Sequence, residues 1–345
     1  MALCNTFYSF FRKFSWLILF HLLGIIWISL FGVNIMWIII GSILGALAFL
    51  VLLLFVGMGI GFYCMIVNPK GGLDGKPEEE YTEYERTVTD ASKVLKAMPS
   101  DPVEVITHDG LTLRGNFIRA EGDSKITILC LHGYTSSGYA EFSQKAQDYL
   151  KEGWNVLLVN HRNHGPSDGK YVGFATLDRL DALLWLKEIE RLVPDGVIFI
   201  TGVSMGGATA MQTANLDLPS SVKGIIEDCG FTTCKEEFLW RSRTVIKHTP
   251  AWAIEILGLY MKVFAGYGLE DSSSLISCKE AKVPMLFIHG NADDVVPVEM
   301  AYACYEACTT DKELVIVEGC KHARAHYHAR EQYMNAVKSF VGKHK

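Results

Sequence analysis

The 345-residue chain carries 32 Lys and Arg against 38 Asp and Glu, a formal net charge of −6. Hydrophobic residues make up 50% and charged residues 20%, too apolar for general disorder. The acidic balance excludes the basic stripe of a nucleic-acid binder, and length alone suggests about two structural units.

From Phe14 to Val67 the chain holds no Asp, Glu, Lys or Arg. As one helix this run would extend about 80 Å, against a hydrocarbon core of about 30 Å. Two spans use that length. Phe31-Gly32-Val33-Asn34 supplies the turn, with one span near Phe14–Phe31 and a second near Ile35–Phe55 running on towards Val67. The run far exceeds the apolar stretch of a secretory leader, and no clear small-x-small site ends it. Trp16, Trp27 and Trp37 are candidate interfacial aromatics. In such a hairpin Arg12 and Lys13 share a side with Lys70 and Lys76, and the positive-inside rule makes that side cytoplasmic. Nine cysteines without a CxxC pair fit a reducing compartment.

Asn68–Pro77 is rich in Gly, Lys and Pro and reads as a linker, and Glu78-Glu79-Glu80 opens a helix running towards Met98. The expected organisation is therefore a membrane segment over 1–67, a linker and amphipathic helix over 68–98, and one α/β domain over 99–345. Within that domain Val103–Thr107 and Leu111–Ile118 flank Asp109-Gly110 as a hairpin. Ile126–Leu131, Asn155–Asn160, Val197–Thr201, Gly224–Glu227, Met285–Ile288 and Leu314–Val317 read as buried strands. Helical patterns lie between them at Ser143–Lys151, Leu177–Leu192, Met205–Leu216, Val298–Cys308 and Arg324–Val341. The alternation predicts a mostly parallel sheet with helices on both faces. Ligands in such sheets sit beyond the carboxyl ends of the strands, so those ends are read for chemistry.

Gly202-Val203-Ser204-Met205-Gly206 fits G-x-S-x-G and falls between a strand and a helix. So tight a turn needs glycine at its flanks and exposes the serine hydroxyl, which makes Ser204 the candidate nucleophile. A dinucleotide fingerprint or a P-loop is excluded, because neither G-x-G-x-x-G nor the P-loop lysine is present. A serine hydroxyl needs a base, and the order serine, acid, histidine is expected on this scaffold. His289-Gly290-Asn291-Ala292-Asp293-Asp294 follows a strand and offers Asp293 as the acid, with Asp294 and Asp228 as alternatives. His322 follows the last strand and is the candidate base; His326 and His328 fall within the next helix. A His322/His326 metal pair lacks a third ligand at clear spacing. Backbone N–H groups of Tyr134 and Met205 are the candidate oxyanion donors. His132 is read as a buried structural histidine.

Taken together, His132-Gly133, His161–Gly169, the Ser204 elbow, the His289–Pro297 loop and His322 resemble the α/β-hydrolase superfamily over about Val103–Val341. The closest likeness is to membrane-anchored bacterial serine hydrolases of esterase or peptidase type. The resemblance implies attack by Ser204 on an acyl carbonyl, His322 as base and Asp293 fixing its tautomer, with no cofactor and no metal. His161–Gly169 is then a structural loop beside the site. Gly230–Val283 is too long for a simple crossover and reads as a small helical cap, about 231–282, with Trp240, Trp252, Ile254, Leu257 and Phe264 among its apolar residues. The expected substrate is a small-molecule ester, with thioester and amide as open alternatives and a lipid-derived acyl group favoured by the membrane segment. The expected partner is the lipid bilayer and not nucleic acid. The alternative reading is a non-catalytic binding or scaffold protein of the same fold, which would have no need of all three triad residues.

Overall fold

The computed structural model describes residues 35–69, 82–245 and 250–345. The chain divides into two compact units, Met1–Ile60 and Gly61–Lys345. Helix α1 (Ile35–Phe62) continues as a wider π-helical turn, Tyr63–Val67. Met36–Val67 is long and apolar enough to cross a membrane, with a mean hydropathy of 2.9. The expected first span near Phe14–Phe31, its turn, and Lys70–Tyr81 lie outside the described residues. The division falls at Ile60/Gly61, not between Val67 and Asn68 where the charge pattern put it. The reason is that Gly61–Val67, although apolar, is hydrogen-bonded into the second unit, as described below.

That unit opens with α2 (Glu83–Lys96). Thr82 accepts from the Glu85 N–H while the Glu85 carboxylate accepts from the Thr82 N–H, a capping box that fixes where the helix begins. Glu83 and Glu85 in the first turn and Lys93 and Lys96 in the last complement the helix dipole. Strands β1 (Asp101–Ile106) and β2 (Thr112–Ile118) form the expected hairpin, with Gly110 at φ +83°. Six more follow: β3 (Ile126–Leu131), β4 (Asn155–Val159), β5 (Val197–Val203), β6 (Val222–Asp228), β7 (Met285–Gly290) and β8 (Lys312–Val317). The sheet order is β1-β2-β4-β3-β5-β6-β7-β8. The β1–β2 and β2–β4 pairs are antiparallel, and every other pair is parallel.

Between the strands lie α3 (Gly138–Glu141), α4 (Lys145–Lys151), α5 (Asp178–Leu192) and α6 (Met205–Thr213). They are followed by α7 (Cys234–Val245), α8 (Ala251–Tyr260), α9 (Ser274–Lys279), α10 (Val298–Ala307), α11 (Ala325–His328) and α12 (Arg330–His344). The strands are apolar on both faces because both are covered. In β3 and β4, Ile128, Cys130, Val156 and Leu158 join Phe142, Tyr149 and Phe340 in one core. Their neighbours Leu129, Leu131, Leu157 and Val159 join Trp185, Met211 and Phe287 in the other. Period-two alternation thus assigns successive residues to opposite cores.

Two expected elements differ in detail. The run Arg324–Val341 is two helices, broken where Ala329 leaves helical geometry at φ −140°, ψ 57°. The cap region holds α7, α8, a π-helical turn Met261–Ala265, and α9. Trp252, Leu259, Val263 and Phe264 of the cap are exposed, while Ile254, Leu257 and Met261 are buried.

The Trp185 indole is 2% exposed and reaches the space left by the missing side chain of Gly115 on β2. Trp185→Ala is expected to destabilise the fold by about 3–5 kcal/mol, read as a lower thermal midpoint of the full chain in detergent.

Candidate active site

Ser204 sits between β5 and α6 at φ 56°, ψ −117°, a left-handed backbone in a non-glycine residue. Close packing imposes it. A Cβ on Gly202 would collide with the Gly206 carbonyl, and one on Gly206 with the Leu131 carbonyl at the end of β3. The Ser204 N–H donates to the Asp228 carbonyl at 2.8 Å, which fixes the turn to the end of β6.

The structure brings Ser204, His322 and Asp293 together. His322 Nδ1 lies 2.7 Å from Asp293 Oδ2, and its Nε2 lies 2.8 Å from Ser204 Oγ. With Nδ1–H donating to the carboxylate, Nε2 is free to accept the serine proton. The Asp293 carboxylate is fully enclosed, and the imidazole keeps 16% exposure. The N–H groups of Val295 and Val296 donate to Asp293 Oδ1 at 2.8 and 2.9 Å. Burial pushes this carboxyl up, but the donors from His289 and His322 outweigh it and hold it well below the usual carboxylate range.

The other acids go elsewhere. Asp228 pairs with the buried Lys145 ammonium at 3.4 Å. Asp294 is exposed. His326 lies 3.0 Å from Asp148, which also takes the Arg330 guanidinium. A His322/His326 metal pair is therefore not formed. Among the described residues, the ligand atoms of Cys229, Asp293 and His322 lie within 4.8 Å of one another. Two of those three already share a hydrogen bond.

Sequence reasoning missed two buried contacts here, His289 on Asp293 and Glu227 near His289. His289 Nε2 lies 3.0 Å from the Val296 carbonyl and 3.3 Å from Asp293 Oδ2, so its N–H is directed at both. Glu227 is fully buried and acts electrostatically on His289, with Oε2 accepting the Gly230 N–H at 2.8 Å. The i,i+4 spacing of His289 and Asp293 was a usable signal for the first contact. Nothing local marks the second.

The loop after β3 lies against the elbow: a Cβ on Gly133 would stand 3.4 Å from Ser204 Cβ. A stack of buried imidazoles shapes this loop. His132 and His164 have ring centroids 4.9 Å apart, and His161 lies 4.6 Å from His132. His164 Nε2 accepts the Thr135 N–H at 3.2 Å, and His132 Nε2 accepts the His161 N–H at 3.1 Å. Burial and its neighbours push His164 down to about 4, so both rings act as neutral acceptors near neutral pH. Arg162 holds the His161–Gly169 loop through a two-pronged pair with Asp181 at 2.8 Å. The N–H of Met205, first residue of α6, has no acceptor within its helix.

The end of the apolar helix is part of this same corner. The Tyr134 hydroxyl donates to the Met65 carbonyl at 2.8 Å. Asn163 Nδ2 donates to the carbonyls of Ile66 and Val67 at 3.1 and 3.0 Å, and the Val172 N–H to Ile66 at 2.9 Å. Ile66 is fully buried. The Phe62 ring packs 5.8–5.9 Å from Tyr171, Tyr260 and Phe264. From Tyr134 an aromatic wall continues through Phe174 at 5.1 Å to Phe238 of α7 at a further 4.9 Å.

A serine elbow at the carboxyl edge of a mostly parallel eight-stranded sheet defines an α/β-hydrolase architecture. Residues 126–253 match the family model for the alpha/beta hydrolase fold, and residues 195–333 match that of a serine hydrolase family (FSH1). The uncharacterized protein YqkD of Bacillus subtilis is 31% identical over 235 residues, 67% of this chain and 76% of that one. The thiohydrolase aneE of Aspergillus aculeatus is 31% identical over 148 residues, 40% of this chain and 44% of that one. Among solved structures, the esterase Pf2001 of Pyrococcus furiosus aligns with a TM-score of 0.58 and 26% identity, covering 74% of this chain and 95% of that one. The chain belongs to the α/β-hydrolase superfamily, among its serine hydrolases.

Burial raises the Glu227 carboxyl to about 8, against about 4.3 in an unfolded chain. Between those values the folded protein keeps a proton that the unfolded chain has lost, so stability falls as pH rises through that window and levels off above it. Glu227→Gln is expected to flatten the fall in thermal midpoint between about pH 5 and 8. A midpoint series across pH for both proteins checks this.

Proposed function

We propose that this protein is a membrane-anchored serine hydrolase that cleaves a carboxylic ester through an acyl-enzyme. The observation that carries the reading is the continuous hydrogen-bonded path from Ser204 Oγ through His322 to Asp293, at 2.8 and 2.7 Å. Ser204 attacks the acyl carbonyl as His322 Nε2 takes its proton, and Asp293 stabilises the imidazolium and keeps its tautomer. The oxyanion is received by the N–H groups of Tyr134 and Met205, preorganised before substrate arrives. His322 then protonates the leaving group, and water resolves the ester on Ser204 by the same route. Carboxylesterase action is favoured over peptidase action by the esterase neighbour and by the aromatic wall Tyr134–Phe174–Phe238, which suits an acyl chain. The name of the relative aneE supports a thioester as the second substrate to try.

Anchoring is supported by the apolar run Met36–Val67. With a preceding span, the cations at Arg12, Lys13, Lys70 and Lys76 put the hydrolase unit on the cytoplasmic face.

Ser204→Ala is expected to abolish both labelling by a fluorophosphonate probe and turnover of p-nitrophenyl esters. Folded wild-type protein that takes no label would leave only a binding or scaffold role. Asp293→Asn should lower kcat by about 10³–10⁴-fold. Asp228→Asn strips Lys145 of its partner, so it should act on the thermal midpoint and leave kcat of the folded fraction nearly unchanged.

A further inference from the structure

We infer that the cap carries a bilayer-docking surface, and that the acyl substrate is a long-chain amphiphile admitted from the lipid leaflet. The inference deepens the proposed function and takes Met36–Ile60 to be a membrane span. Trp252, Ile256, Leu259 and Val263 follow one another at spacings of four, three and four, which puts them on one face of α8 and the turn after it. Trp252 is 49% exposed, Leu259 53%, Val263 64% and the adjoining Phe264 55%. A contiguous apolar stripe of this kind on a surface marks a contact. Its own helix does not need it for packing, because Ala253, Ile254, Leu257 and Met261 already face the interior.

The occupant follows from where the chain enters this unit. Phe62 lies against Tyr260 and Phe264 beside the stripe, and the segment after it is bonded into the Tyr134 loop through Met65, Ile66 and Val67. The end of the apolar helix is thus held between the cap stripe and the loop beside Ser204. What remains, Met36–Ile60, is about 37 Å of helix at 1.5 Å per residue, enough for a hydrocarbon core of about 30 Å. In sequence, that apolar stretch ends two residues before Phe62, whose ring packs against Tyr260 and Phe264. The charges that flank the stripe are paired, Glu255 with Lys235 at 2.9 Å and Lys262 with Asp271 at 2.7 Å, which lowers the cost of approach to lipid. An aromatic residue at such a boundary is a usual interfacial anchor.

The test uses the full chain in phosphatidylcholine vesicles, either plain or brominated along the acyl chains. The emission contributed by Trp252, taken as wild type minus Trp252→Phe, should lose most of its intensity in the brominated vesicles. If that contribution is unaffected, the stripe is covered by protein or faces water, and the inference is overturned. A Leu259→Ser, Val263→Ser double variant should hydrolyse a soluble short-chain ester at the wild-type rate and a vesicle-embedded long-chain ester several-fold more slowly. Equal loss on both substrates would make the stripe structural and would also overturn the inference. Absence of ester turnover in the wild type would instead defeat the proposed function, while the quenching result would still decide docking.

Discussion

The active corner depends on how closely three pieces of backbone approach one another. The ends of β3 and β5 and the first turn of α6 meet where Gly202 and Gly206 have no side chains, and the carbonyls of Leu131 and Gly206 occupy that space. Ser204 is left with the one backbone geometry that closes the turn, at φ 56°. Such a conformation costs on the order of 1–3 kcal/mol and persists only where its surroundings over-determine it. Here they do so through the Asp228 carbonyl on one side and the Gly133 loop on the other. The position of the Ser204 hydroxyl is thus set by the backbone around it.

Electrostatics then sorts several buried acids. Asp228 is paired with Lys145, Asp148 with Arg330 and by a hydrogen bond with His326, and Asp181 with Arg162. Asp293 is the one that meets His322, and four donors hold its two oxygens. A carboxylate so heavily hydrogen-bonded is a poor proton acceptor and a good anchor for an imidazole. Glu227, buried near His289, is held protonated up to about pH 8, and so adds no second negative charge through the neutral range.

What could be read from the residue string was what local chemistry dictates. The G-x-S-x-G turn, the Asp109-Gly110 hairpin and the apolar strand runs each need only their own neighbours to be recognised. Asp293 could be set above Asp294 only as a preference, because the choice depends on a turn in which Val295 and Val296 N–H groups converge on one carboxylate. The pairing of Lys145 with Asp228 and of His326 with Asp148 joins residues tens to hundreds apart, and no periodicity encodes either. Gly61–Val67 was the least legible piece. Its composition matches the apolar helix before it, and its membership of the hydrolase unit rests on carbonyl groups, which every residue has.

That last feature bears on how the chain can be shortened. A soluble version cut by hydropathy alone would begin near Asn68. It would discard the three carbonyls that Tyr134, Asn163 and Val172 use, and would uncover the pocket that holds Ile66. Trimming that respects these bonds stops before Gly61, retaining a greasy heptapeptide that looks dispensable on paper.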